Sequence, residues 1–151
     1  MKTVIKAGDN LGGLIKIWAI PNDVISVSGE VVSITSDTNV YQLHCSPDSM
    51  EFSEPREVTD AGTHYNTAIG GFIPQDNATL QEALAYLEPR KWVVLFTDGN
   101  GKTKLAGLPM NPLRVSAELT SGNDTAVRAG CAIQFFGKTL ARAIFVNNPF
   151  A

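Results

Sequence analysis

Short apolar runs with a period of two dominate the chain and read as β-strands. Leu14 to Ile20 is nearly continuous apolar, broken by Lys16. Between Val24 and Thr35, Ile25 and Val27 share one phase while Val32 and Ile34 share the other. The phase changes around Ser28-Gly29-Glu30, where a turn or bulge is expected. Val40 to Cys45 sets Tyr41, Leu43 and Cys45 against Gln42 and His44. Leu113, Val115, Ala117 and Leu119 alternate with Arg114, Ser116 and Glu118, the pattern of a half-buried strand. Cys131, Ile133 and Phe135 alternate around Ala132 and Gln134, and Ala141 to Val146 reads as a last strand stopped by Asn147-Asn148-Pro149.

Trp92 to Phe96 is apolar on both phases, so it reads as a central strand covered on both faces. Asp98-Gly99-Asn100-Gly101 then supplies a tight turn, with Lys102 to Ala106 as the return strand. Only Ala78 to Leu87 has helical spacing, with Leu80, Ala83, Leu84 and Leu87 in one stripe. Thr79-Leu80-Gln81-Glu82 fits a capping box, with Asp76 or Asn77 as rival caps, and Pro89 ends the helix. So short a helix must lie on a sheet, and Trp92–Phe96 is the natural strand beneath it. Roughly nine to eleven strands with one helix predict a mainly β fold, a sandwich or barrel with a flanking helix at about residues 78–87.

Composition narrows the class. The chain has 151 residues, 44% hydrophobic and 18% charged, which implies one ordered domain spanning residues 1–151. No apolar run is long enough for a membrane helix. The net charge of −3 argues against a domain that grips nucleic acid. Met1 to Ala7 carries two lysines, but no apolar core of a secretory signal follows, so synthesis in a reducing cytoplasm is expected. The sequons at Asn77 and Asn123 then mean little. The polar, proline-punctuated stretch Ser46 to Arg56 suggests a hairpin arm, protruding around residues 46–66. Thr59 to Tyr65 is its candidate mobile loop.

Candidate chemistry is sparse. Gly-Lys-Thr occurs at Gly101 and Gly137, but a phosphate loop needs a further glycine where Phe96 and Ala132 stand. Both read as hairpin turns with exposed lysines. His44, Cys45 and His64 lack metal-ligand spacing, and Cys45 and Cys131 sit on apolar strand phases as buried thiols. Glu51, Glu54 and Asp98 read as solvated charges rather than an acid–base pair. Trp18, Tyr41, Tyr65 and Trp92 could make a sugar platform, although both tryptophans lie in core-like strands. No catalytic residue, metal or cofactor is expected.

The second half carries a resemblance. Trp92-Val93-Val94-Leu95-Phe96 leads into Asp98-Gly99-Asn100-Gly101, then Leu105-Ala106-Gly107 and Pro112-Leu113-Arg114-Val115. Ser121-Gly122 and Cys131-Ala132-Ile133-Gln134-Phe135-Phe136-Gly137 follow. This order resembles the C-terminal half of tail-tube, tail-hub and neck-ring proteins of tailed bacteriophages and prophages, particularly those of gut Bacteroidetes. In the first half, Glu51 to Glu57 with Thr59-Asp60-Ala61-Gly62 looks like the acidic strand pair and long loop that reach neighbouring subunits. The resemblance implies a tail-tube-like fold and a non-enzymatic virion protein of the tail or neck. It would form a homo-oligomeric ring, often hexameric, with other tail or neck proteins as partners. DNA would pass the channel without sequence-specific binding. Glu51, Phe52, Glu54, Arg56 and Tyr65 become expected subunit-interface residues. A carbohydrate- or protein-binding β-sandwich module without catalysis is the alternative, and an enzyme on a β-scaffold is a third possibility.

Overall fold

A computed structural model of the chain describes residues 14–46, 49–74, 77–120 and 130–150. The strands are β1 (Leu14–Pro21), β2 (Ile25–Ser28), β3 (Val31–Ile34), β4 (Tyr41–Leu43), β5 (Glu51–Ser53), β6 (Arg56–Thr59) and β7 (Gly62–Ile73). The helix α1 (Ala78–Leu87) separates them from β8 (Trp92–Asp98), β9 (Thr103–Ala106), β10 (Arg114–Thr120), β11 (Gly130–Thr139) and β12 (Ile144–Phe145). The fold is mainly β, as the alternating pattern requires. The first sheet runs β12-β9-β8-β1-β4 and the second β10-β11-β7-β5, with β6 also paired to β7. Strands β2 and β3 form a separate hairpin, and Gly29 at φ +61° makes the turn that switches the apolar phase.

Neither large sheet closes into a barrel. Closure needs edge strands long enough to pair. In the first sheet those edges are β4 and β12, of three and two residues. The sheets instead share a core. One side supplies Ile17, Trp92, Val94 and Phe96, and the other Ile69, Ile133 and Phe135. An antiparallel bridge, Trp92 to Leu113, joins the sheets at one corner, with N···O distances of 2.8 and 2.7 Å.

Strand β8 is covered on both faces, as its double apolar phase predicts. Val93 and Leu95 turn away from the shared core into a second cluster with Trp18, Ile20, Ile25 and Val32. The β2–β3 hairpin and the C-terminal segment roof this cluster. Phe150 stacks on Trp18 with ring centroids 5.4 Å apart. Ala141–Val146 is less regular than expected, since only Ile144 and Phe145 pair, with Leu105 and Lys104. Likewise β4 stops at Leu43, short of Cys45.

The helix matches its expected bounds, and of the expected caps the rival Asn77 is the one used rather than the box at Thr79. Asn77 Oδ1 accepts the Leu80 N–H at 2.9 Å, so Asn77 is the N-cap and Thr79 lies inside the first turn. The capping-box reading fails because the cap oxygen must precede the first helical residue. Leu80, Leu84 and Leu87 are buried in the shared core, roughly 1.5–3 kcal/mol each. Trp92 Nε1 donates to the Leu87 carbonyl at 2.8 Å and pins the helix over β8.

Leu119 departs from its phase: it is 41% exposed, although Cys131, its partner on β11, is buried in the core. Thr59 to Tyr65 is not a loop. Thr59 closes β6, Gly62 opens β7, and Thr59 Oγ1 donates to the Gly62 carbonyl at 3.1 Å.

Two outcomes test this packing. Asn77→Ala should lower stability by about 1 kcal/mol, while Glu82→Ala at the exposed end of the rejected box leaves the urea midpoint within experimental error. Gly70→Ala should cost about 1–3 kcal/mol or more in the same denaturation experiment. An added methyl there would overlap the Ile133 carbonyl oxygen of the paired strand. A midpoint equal to that of the unmodified protein would contradict the close approach of β7 and β11.

Candidate interaction surface

The surface features gather on the second sheet. Alternation sends Ile69, Phe135 and Val115 inward and leaves Glu51, Gly70, Gln134 and Ser116 as one row across the outer face. Small residues in that row and beside it make a trough of about 410 Å³. Gly70, Ala68 and Ala132 line it, with Glu51 on β5 and Glu118 on β10 among its charged side chains.

Strand β7 is twelve residues long and outruns β11, whose pairing ends at Tyr65 opposite Thr139. Beyond that point, among the described strands, only β6 accompanies it, as a two-stranded extension with every residue of β6 exposed. Here Glu57 Oε2 accepts the Asn66 amide at 2.6 Å and lies 3.1 Å from His64 Nε2. The Asn66 hydrogen bond first, then His64, holds the Glu57 carboxyl below its usual range.

The root of this hairpin is tied to the C-terminal segment. Glu54 is only 12% exposed at its side chain and accepts the Ala143 N–H at 2.9 Å. Arg142 stands 3.6 Å from the other Glu54 oxygen, and its guanidinium lies 4.6 Å above the Tyr65 ring. Beneath them the Thr67 and Thr139 hydroxyls meet at 3.0 Å in a buried pair.

The five expected interface residues therefore separate. Glu54 and Tyr65 meet through Arg142, and exposed Arg56 lies across from Tyr65 in the register. Glu51 belongs to the outer trough. Phe52 turns inward, its ring 4.6 Å from that of Phe96, and is core packing. Glu54 is not the solvated charge expected, because the C-terminal segment folds over it. Arg142, Glu57, His64 and Asn66 were not singled out as a group. The pairing of β6 with β7 joins the last three, and no local spacing announces Arg142, which reaches Glu54 from the far end of the chain.

The chemistry motifs resolve as structure. Gly101-Lys102-Thr103 closes the β8–β9 hairpin, where Asp98 Oδ1 accepts the Asn100 and Lys102 N–H groups at 2.9 and 3.0 Å. Gly137-Lys138-Thr139 lies inside β11, so it is not the expected hairpin turn. Trp92 is 0% and Trp18 6% exposed, so neither forms a surface platform. Cys131 is buried, and burial pushes the half-buried Cys45 thiol up to about 11, assisted by Cys131 nearby. Among the described residues no group of three or more His, Cys, Asp or Glu could hold a metal, and no helix is long and apolar enough to cross a membrane. The Ser121-Gly122 element and the Asn123 sequon lie outside the described residues.

Glu54→Ala should destabilise by about 1–3 kcal/mol, because it orphans the Ala143 N–H, and should speed amide exchange at residues 140–146. Unchanged exchange there would refute the tether. Glu57 has a lower pKa folded than unfolded, so its support of the hairpin is full above the ordinary carboxylate pKa and is lost as pH falls through the lowered value. The Asn66 side-chain amide resonances should titrate with a midpoint below that of an exposed glutamate, and Glu57→Gln should abolish the transition. Comparison with known proteins gives no match: no family model fits the chain, and no curated protein or solved structure is significantly similar to it.

Proposed function

We propose that this chain is a non-catalytic structural protein of a phage tail or head–tail connection, a tail-tube-like subunit that assembles into a homo-oligomeric ring around a DNA channel. The observation that carries the reading is the exposed β6–β7 hairpin, anchored at its root by Glu54, Arg142 and Tyr65. A stiff, hydrogen-bonded hairpin held at its base extends from a subunit at little ordering cost, which suits it to reach a neighbour. The order of strands and turns from Trp92 onward supports the same assignment. The mild net charge of −3 suits a wall that lets DNA slide rather than holding its phosphates. Its place would be the virion, after synthesis in the bacterial host cytoplasm, beside other tail or neck proteins.

The outer trough favours a second reading, a binding module for a glycan or peptide. Its polar lining, Glu51, Gln134, Ser116 and Glu118, offers hydrogen-bond partners across the sheet. Electron microscopy of the purified protein separates the two. Rings or stacked tubes with a central channel are the expected result. A protein that stays monomeric at high concentration, and does not assemble with virion partners, overturns the virion reading. A glycan-array hit lost in Gln134→Ala would then favour the module.

A further inference from the structure

Two exposed patches, one on each large sheet, carry opposite charge. The first is the trough on the outer face of the second sheet. Among the described residues its charged side chains are Glu51 and Glu118, and both are exposed. They stand on β5 and β10 with β7 and β11 between them, so their backbones are roughly 15 Å apart. Neither forms an ion pair with a described residue. Arg114 lies on the same face, two residues before Ser116, but outside the lining of the trough.

The second patch lies where β12 meets β9 in the first sheet. Phe145 pairs with Lys104 there and is 53% exposed. Lys104 Nζ stands 4.7 Å and Lys102 Nζ 6.0 Å from the centre of its ring. Neither lysine forms an ion pair with a described residue. Residues two apart on a strand share a face and lie about 7 Å apart at the backbone. Phe145 is therefore an apolar knob that carries two unpaired cations.

We propose that the trough of one copy of this chain receives the Phe145 knob of a second copy, with Lys102 and Lys104 set against Glu51 and Glu118. A cavity of about 150 Å³ already holds a benzene ring. The trough offers about 410 Å³ over a floor that includes Gly70, Ala68 and Ala132, so the ring and the lysine stems both fit. Flexible four-carbon stems let two lysines on one strand splay toward both walls. An aromatic anchor in a pocket concentrates binding energy, and charges around it select the partner.

The two patches differ, so the contact is heterologous. Each copy gives its trough to one neighbour and its knob to the next. Such a contact builds a ring where the rotation closes and a filament where it does not. It deepens the ring reading by naming the surfaces that join neighbours, and rests on that reading for closure alone.

Charge reversal and mixing test the contact, read by sedimentation of the full chain at low salt. E51K/E118K makes both patches basic, and K102E/K104E makes both acidic. Each variant alone should raise the dissociation constant of self-association by about tenfold or more. Mixed in equal amounts, the basic trough of one meets the acidic knob of the other, and association should return to within about threefold of the original. Adding Phe145→Ala to both should abolish that recovery; a recovery that persists without the ring reflects overall charge and overturns the proposal. A monomeric unmodified protein also overturns it. So do assemblies indifferent to both reversals, or a mixture no stronger than its components. Should a charge variant fail to fold, Ala132→Trp decides, because it fills the trough from an exposed position. It should weaken association by about tenfold or more, and unchanged association overturns the contact. Rings that ignore all these substitutions would keep the virion reading and sink this contact. Charge-swappable chains that never close into rings would do the reverse.

Discussion

Trp92 holds three parts of the molecule with three different groups. Its indole N–H bonds the last turn of the helix, its backbone bridges to Leu113 at the head of β10, and its ring fills the core between the sheets. Tyr41 and Tyr86 meet the same ring edge-on, with centroids 5.9 and 6.0 Å away. Such pairs add roughly 0.5–1.5 kcal/mol beyond burial. A helix of ten residues is marginal alone. Its position over β8 therefore depends on this side chain and on the three leucines beside it.

The two faces of β8 explain how the remainder is arranged. A strand with no exposed side needs a layer on each side of its sheet. The second sheet and the helix provide one layer. The β2–β3 hairpin and the C-terminal segment provide the other, with Asn147 N–H held by the Glu30 carbonyl at 2.9 Å. Among the described residues the second sheet is covered on one face only, and its other face carries the trough. Its strands alternate cleanly for that reason, and the first sheet's central strand does not. The same sheet carries the exposed β6 strand of the β6–β7 extension, so both the trough and the hairpin belong to it.

Much of the element pattern was legible because it is local. Period-two alternation in 131–135, the double phase of 92–96 and the stripe of Leu80, Leu84 and Leu87 are properties of neighbouring residues, and each element appears where its pattern stands. Errors fall where a local rule met a distant partner. Leu119 keeps the apolar phase yet stays exposed, although its cross-strand partner Cys131 is buried. Glu54 looks like a surface charge until a segment 89 residues away folds against it. Phe52, taken for an interface residue in an acidic stretch, is drawn inward by Phe96.

By itself the sequence determined that the chain is mainly β with one helix, which residues turn inward on most strands, and that its tryptophans belong to the core. Side-chain direction follows from backbone period, and burial of apolar surface follows from composition. Tertiary structure alone decided that the sheets stay open rather than closing, that Arg142 clamps Glu54 and Tyr65, and that β10 ends the second sheet among the described strands. Strand neighbours are chosen by contacts between residues far apart in the chain, and no local periodicity records that choice.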